Sequence, residues 1–241
     1  MKDSAPVIFW DFHGTLSPGG WDWAETFQDI LEMHAPNICR SQQEINDCLQ
    51  EGFPWHTPDQ EHLHITTADE WWSEYFGAFV RGLNRLGLES NQSIKLAGLV
   101  RRSYIAKGRF QAFSDTLPTL EYFRDSGWRL AVLSNHVPEL EKILTDLNLS
   151  GLFENIFTSA LCGFEKPRIE LFEHALQSMG FPQRCWMIGD DPIADIWGAN
   201  NAGIPAVLAR RDGPSMLKVS RLDKLPTVLT ETNRIRAVAA L

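Results

Sequence analysis

The chain has 241 residues, 44% hydrophobic and 22% charged, the composition of a globular protein long enough to bury a sizeable core. A formal net charge of −9 argues against non-specific nucleic-acid binding, which needs a basic face, but leaves room for a small anionic ligand beside a cation. There is no 18-residue apolar run, no basic leader and no CxxC spacing among the four cysteines, so a reduced, cytoplasmic protein with mostly buried thiols is expected.

The first predicted element is Val7-Ile8-Phe9-Trp10, an apolar run that ends in Asp11 and breaks at Gly14-Thr15. That pattern fits a buried parallel strand delivering an acid to the carboxyl edge of a sheet. From Ser4 to Pro18 the only ionisable side chains are Asp11 and His13.

Residues 17–112 then read as helical, with helices predicted over Trp21–Met33, Gln42–Leu49, Ala68–Leu86 and Asn91–Ala106. Ser17-Pro18-Gly19-Gly20 and the region of Gly108 are expected hinges of an inserted helical domain. Its tryptophans, Trp21, Trp23, Trp55, Trp71 and Trp72, are expected in the core, with Trp21 or Trp23 the candidates to face a cleft. His56, His62 and His64 read as surface-loop residues rather than metal ligands.

Beyond residue 113 strands and helices alternate. Strands are predicted over Trp128–Leu133, Asn155–Thr158, Cys185–Ile188 and Pro205–Leu208. Helices are predicted over Leu117–Asp125, Pro138–Leu147, Arg168–Met179 and Pro192–Ala202, with Gly127, Gly180 and Gly203 as stops. The alternation predicts an α/β fold whose mainly parallel sheet is covered on both faces.

Several of these segments end in polar groups able to converge on Asp11: Ser134-Asn135, Lys166 before a helix, and Gly189-Asp190-Asp191 followed by Asp195. A carboxylate, a hydroxyl, a lysine and an acid cluster suit phosphoryl transfer to a carboxylate. Asp11 would attack phosphorus, Ser134 and Lys166 would hold the non-bridging oxygens, and the acids would bind Mg²⁺. Asp190 and Asp191 have a plainer reading as caps of the helix at Pro192, with Asp195 solvated on its first turn.

The four motifs, Asp11-Phe12-His13-Gly14-Thr15-Leu16, Leu133-Ser134-Asn135, Lys166-Pro167 and Gly189-Asp190-Asp191 with Asp195, resemble those of haloacid dehalogenase-superfamily hydrolases with a helical, C1-type cap. The resemblance covers nearly the whole chain. It implies a Rossmann-like parallel-sheet core over 1–16 and 113–241 with an α-helical cap over 17–112. It also implies an aspartyl-phosphate intermediate on Asp11, a Mg²⁺ site of Asp11, the His13 carbonyl, Asp190 and Asp195, and a small phosphorylated substrate held by Ser134, Asn135 and Lys166. The chain departs from the phosphatase pattern at His13, where a second aspartate is usual. Imidazole can act as acid and base near neutral pH, and His13 is the expected proton donor to the leaving group.

Three other functions compete. A metal-independent 2-haloacid dehalogenase would use Asp11 on carbon, with Arg40 as a halide ligand. A phosphonate-cleaving enzyme would need a cap lysine, yet no lysine lies between Asp3 and Ile94. A degenerate, non-catalytic protein would only bind a phosphorylated ligand. Arg101-Arg102 and Arg210-Arg211 read as solvated charges.

Overall fold

A computed structural model describes residues 5–19, 22–213 and 215–239. Its centre is a six-stranded, all-parallel sheet in the order β3-β2-β1-β4-β5-β6. The strands are β1 Val7–Trp10, β2 Arg129–Ser134, β3 Asn155–Thr158, β4 Cys185–Gly189, β5 Ala206–Ala209 and β6 Lys218–Val219. In β1 Val7 is in register with Arg129 of β2 on one side and with Cys185 of β4 on the other. The chain order reverses at β1, so the crevice between β1 and β4 is the topological switch point where such sheets bind ligands.

The strands are apolar throughout because both faces are covered. Ile8 and Trp10 pack with Phe123, Leu140 and Leu225, while Val7 and Phe9 pack with Leu171, Phe172 and Ala199 on the opposite face. The first face holds α5 Thr116–Asp125, α6 Leu140–Asp146 and α10 Leu225–Ala239; the second holds α8 Ile169–Ser178 and α9 Gly198–Asn201. The short α7 Ser159–Cys162 follows β3.

Between β1 and α5 run four helices: α1 Asp22–His34, α2 Gln42–Cys48, α3 Ala68–Arg85 and α4 Ser90–Tyr104. Local chemistry starts two of them. Ser41 with Glu44, and Thr67 with Glu70, form reciprocal capping boxes that satisfy the first free N–H groups of α2 and α3. The buried residues of these helices, Phe27, Trp71, Phe79 and Val100 among them, join the same apolar cluster as Ile8 and Trp10. Where the chain leaves and rejoins the sheet it is tied to itself: Ser17 Oγ donates to the Gln111 carbonyl (2.7 Å), and Phe113 N–H to the Leu16 carbonyl (3.1 Å).

The parallel α/β architecture agrees with the sequence reading, and Gly127, Gly180 and Gly203 follow helices as expected. Four expectations need correction. Residues 192–202 do not form one helix: Pro192–Trp197 is a wide π-type turn, in which Ile196 N–H reaches back five residues to the Asp191 carbonyl (3.2 Å), and α9 follows it. Strand β6 and helix α10 carry no decisive periodicity and were not expected. The cysteines are less enclosed than expected, Cys39 being exposed and the other three half-buried. His62 is no surface residue: its N–H donates to the Gly163 carbonyl (2.9 Å) and its ring is buried over Ser159 and Glu165. Gly20 and Trp21 lie outside the described residues.

Candidate active site

Asp11 stands just past β1, at the carboxyl end of the central strand, with its N–H bonded to the Ile188 carbonyl (2.9 Å). Ser134 ends β2 next door, and its Oγ donates to Asp11 Oδ1 (2.9 Å). Lys166 comes from the loop before α8. Its Nζ donates to Asp11 Oδ1 (2.8 Å), Asp195 Oδ1 (2.5 Å) and the Leu133 carbonyl (3.0 Å). Burial works against the ammonium, but Asp11 and Asp195 outweigh it, so the Lys166 pKa is raised and the side chain stays charged.

Asp190 follows β4 across the switch point. Asp11, Asp190 and Asp195 are all buried, and one oxygen from each lies within 4.8 Å of the others. Burial, then the neighbouring Asp11 carboxylate, pushes Asp190 up to about 6. Burial likewise raises Asp195, against the pull of Lys166. The backbone makes room for this crowding. A Cβ on Gly14, which has φ +77°, would sit 2.3 Å from Asp190 Oδ2, and one on Gly189 would sit 2.2 Å from Asp195 Cγ. Both sites therefore require glycine.

The wide turn after β4 explains the remaining acids. Asp191 caps it, its Oδ1 accepting from Ile193 N–H (2.8 Å) and Ala194 N–H (2.7 Å). Of the two candidate caps only Asp191 takes that role, and Asp190 is left to the cleft. Asp195 is fully buried rather than solvated, with Oδ2 accepting from Asp191 N–H (2.9 Å).

Asn135 sits otherwise than a ligand-facing carboxamide would. Its Nδ2 donates to the Lys166 carbonyl (2.9 Å) and its Oδ1 accepts from Lys166 N–H (2.7 Å). The side chain thus clamps the lysine's backbone, although the residue still lines the cleft. His13 lies beside Asp11, its ring stacked on Phe110 at 5.7 Å and 26° and its centroid 4.7 Å from that of His136. In the turn that follows, the Thr15, Leu16 and Ser17 N–H groups all converge on the Phe12 carbonyl rather than on that of His13.

Asp11, His13, Asn135, Lys166, Asp190 and Asp195 line a cleft of about 500 Å³. Arg210 and Arg211 line it too; Arg210 is largely enclosed, which corrects its reading as a solvated charge, whereas Arg211 stays exposed as expected. Arg210 Nη2 donates to buried Asp115 (2.7 Å) and its guanidinium lies 3.7 Å from the Phe113 ring centroid, while Arg211 Nε pairs with Asp190 Oδ2 (3.0 Å). Arg101 is likewise paired, with Glu139 (2.7 Å) and Asp69. Arg40 is absent from the cleft lining; it donates to the Cys39 and Leu86 carbonyls.

The sequence reading missed His136, directly after Ser134-Asn135. It is buried, and burial followed by the nearby His13 pushes its pKa well below the usual imidazole value. Its position beside the second motif was the available signal.

Comparison with known proteins bears on this geometry. The chain is 36% identical over 118 residues to a glyceraldehyde 3-phosphate phosphatase of Methanothermobacter thermautotrophicus, a match spanning 48% of this chain and 52% of that protein. It is 30% identical over 168 residues to the glyceraldehyde 3-phosphate phosphatase of Pyrococcus abyssi, spanning 68% and 69%. In fold it is similar to a 2-haloacid dehalogenase from Pseudomonas syringae, with a TM-score of 0.68 over 94% of this chain and 99% of that one at 20% identity. The family model for haloacid dehalogenase-like hydrolases matches residues 5–203, the span that supplies Asp11, Ser134, Lys166 and both buried acids of the last motif; the chain belongs to that family of hydrolases.

Proposed function

We propose that the protein is a Mg²⁺-dependent phosphatase of a small phosphorylated metabolite, working through an aspartyl phosphate on Asp11. One observation carries the reading: a buried carboxylate at the switch point shares its oxygen with a hydroxyl and an ammonium, while two further acids face it. Ser134 and Lys166 would shift from Asp11 to the phosphoryl oxygens and neutralise the charge that develops there. Asn135 keeps Lys166 in place through its backbone. Segment 17–112 acts as a cap that excludes water and holds the alcohol, over a core of 1–16 and 113–241.

The acids fit a hard divalent cation. Three carboxylates crowd within 4.8 Å, Asp190 is raised by burial and then by neighbouring Asp11, and Gly14 and Gly189 leave space for them. Asp11, Asp190, Asp195 and the His13 carbonyl would hold Mg²⁺. When bound, the ion supplies charge neutralisation between nucleophile and phosphate. His13, stacked on Phe110, gives a proton to the leaving alkoxide and later takes one from the attacking water.

Glyceraldehyde 3-phosphate is the first substrate to try, since both relatives named above carry that activity in their names. Phosphate release would be followed for wild type and Asp11→Asn, with Mg²⁺ and with EDTA, alongside halide release from 2-haloacids. Mg²⁺-dependent phosphate release that vanishes in the variant supports the proposal. Halide release that survives EDTA overturns it in favour of dehalogenation, and binding of phosphate esters without turnover favours a non-catalytic protein. Against dehalogenation, Arg40 lies off the cleft and Asp190 lies in it.

A further inference from the structure

Not all of the aromatic side chains in the helical segment pack away from the site. Trp23, Trp55 and Tyr104 form one side of a cavity of about 200 Å³, and His13, Asn135 and His136 form the other. His13 and Asn135 also line the acidic cleft, so the two spaces share a wall. A phosphate ester placed for attack by Asp11 would therefore have its leaving oxygen near His13 and its alcohol beyond it.

The chemistry of this second cavity is specific. Among the described residues its lining contains no lysine, arginine or carboxylate. Trp23 stacks on Tyr104 with centroids 4.0 Å apart and on Trp55 at 5.8 Å, giving rigid flat walls suited to C–H or ring faces. A carboxylate or second phosphate entering there would lose its water without meeting a fixed counter-charge. The volume equals that of about seven waters, enough for an alcohol of about six non-hydrogen atoms.

His136 brings an imidazole to this lining. Its Nδ1 lies 3.3 Å from the Val137 carbonyl, which places the proton on Nδ1 and the lone pair on Nε2. Nε2 is buried and has no hydrogen-bond partner among the described residues. An acceptor in that condition is destabilising until a donor reaches it.

Resting on the phosphatase reading, we propose that this cavity is the leaving-group subsite. It selects phosphomonoesters of small uncharged alcohols, with His136 Nε2 accepting a hydrogen bond from a hydroxyl of the alcohol. Esters whose alcohol carries a carboxylate or a second phosphate are rejected.

The test compares kcat/KM for glycerol 3-phosphate, ethyl phosphate, 3-phosphoglycerate and acetyl phosphate in wild type, His136→Leu, His136→Gln and Trp55→Arg. In wild type glycerol 3-phosphate should exceed 3-phosphoglycerate by about 100-fold, since a buried unpaired charge is expensive. In His136→Leu the ratio of glycerol 3-phosphate to ethyl phosphate should fall about tenfold, the effect of one lost hydrogen bond, and His136→Gln should restore part of it. Trp55→Arg, at a half-buried position, should narrow the gap to 3-phosphoglycerate, and it decides the matter if His136→Leu does not fold. Equal use of glycerol 3-phosphate and 3-phosphoglycerate in wild type overturns the proposal. So does a ratio unmoved in a folded His136→Leu, or a gap unmoved in Trp55→Arg. Turnover of acetyl phosphate with neither three-carbon ester overturns the subsite alone, whereas no turnover of any of the four overturns the phosphatase reading with it.

Discussion

In the proposed reaction His13 is the group that would give a proton to the leaving oxygen and take one from the attacking water. If its imidazole is the proton donor, the loss on replacement depends on how much the leaving group needs a proton. His13→Ala should lower kcat about 10²- to 10⁴-fold for an alkyl phosphate, and far less for p-nitrophenyl phosphate, whose phenolate leaves unaided. Steady-state rates for the two esters check this, and equal losses would count against proton donation. Asn135 makes a different prediction, because its carboxamide bonds to both the N–H and the carbonyl of Lys166. Asn135→Ala should lower stability by about 1–3 kcal/mol through unsatisfied partly buried groups, measurable by urea unfolding, and lower kcat through a displaced ammonium. Asp11 and Lys166 stand out in the sequence because each is a charge set where an apolar run or a loop meets the sheet edge. The clamp by Asn135 does not, because it joins residues 31 apart.

At the scale of elements, the loop carrying His62 and the segment α7 to α8 form one buried joint. Glu165 is fully enclosed there, 3.8 Å from His62 Nε2, and burial pushes its carboxyl up to about 7 against weaker opposing contacts from Ser159 and Lys166. A carboxyl raised in the folded state contributes stability that is fully present below its unfolded pKa of about 4.5 and is lost as pH rises through about 7. The neighbouring His62 is lowered, mainly by burial, so its contribution runs the other way and is lost as pH falls. Glu165→Gln should therefore flatten the fall in stability between about pH 5 and 8 and be more stable than wild type at pH 8; thermal melts across that range check it. The sequence, read locally, placed His62 on a surface loop. Its burial follows from Leu63 lying against Gly163, a contact between segments 100 residues apart.

For the whole molecule, the sheet brings three acids from β1 and the end of β4 into one buried cluster that repels itself. A cation that binds this cluster only in the folded state should raise Tm, by the equivalent of about 2.7 kcal/mol at one hundred times its Kd. Differential scanning calorimetry with MgCl₂ should show that rise in wild type and lose it in Asp190→Asn, which should itself melt higher than metal-free wild type once the raised carboxylate is gone. The sequence by itself determined the parallel α/β core and the chain positions of Asp11, Ser134, Lys166, Asp190 and Asp195. Those features are local: apolar runs, helix stops, and polar residues placed where strands end. Only the tertiary structure decided which acid caps and which faces the cleft, because Asp190 and Asp191 are adjacent and differ only in where the π-type turn points them. It also decided that Arg211 meets Asp190, and that Trp23, Tyr104 and His136 share a cavity beside His13. Such contacts depend on how distant elements pack, and packing leaves no period in the chain to read.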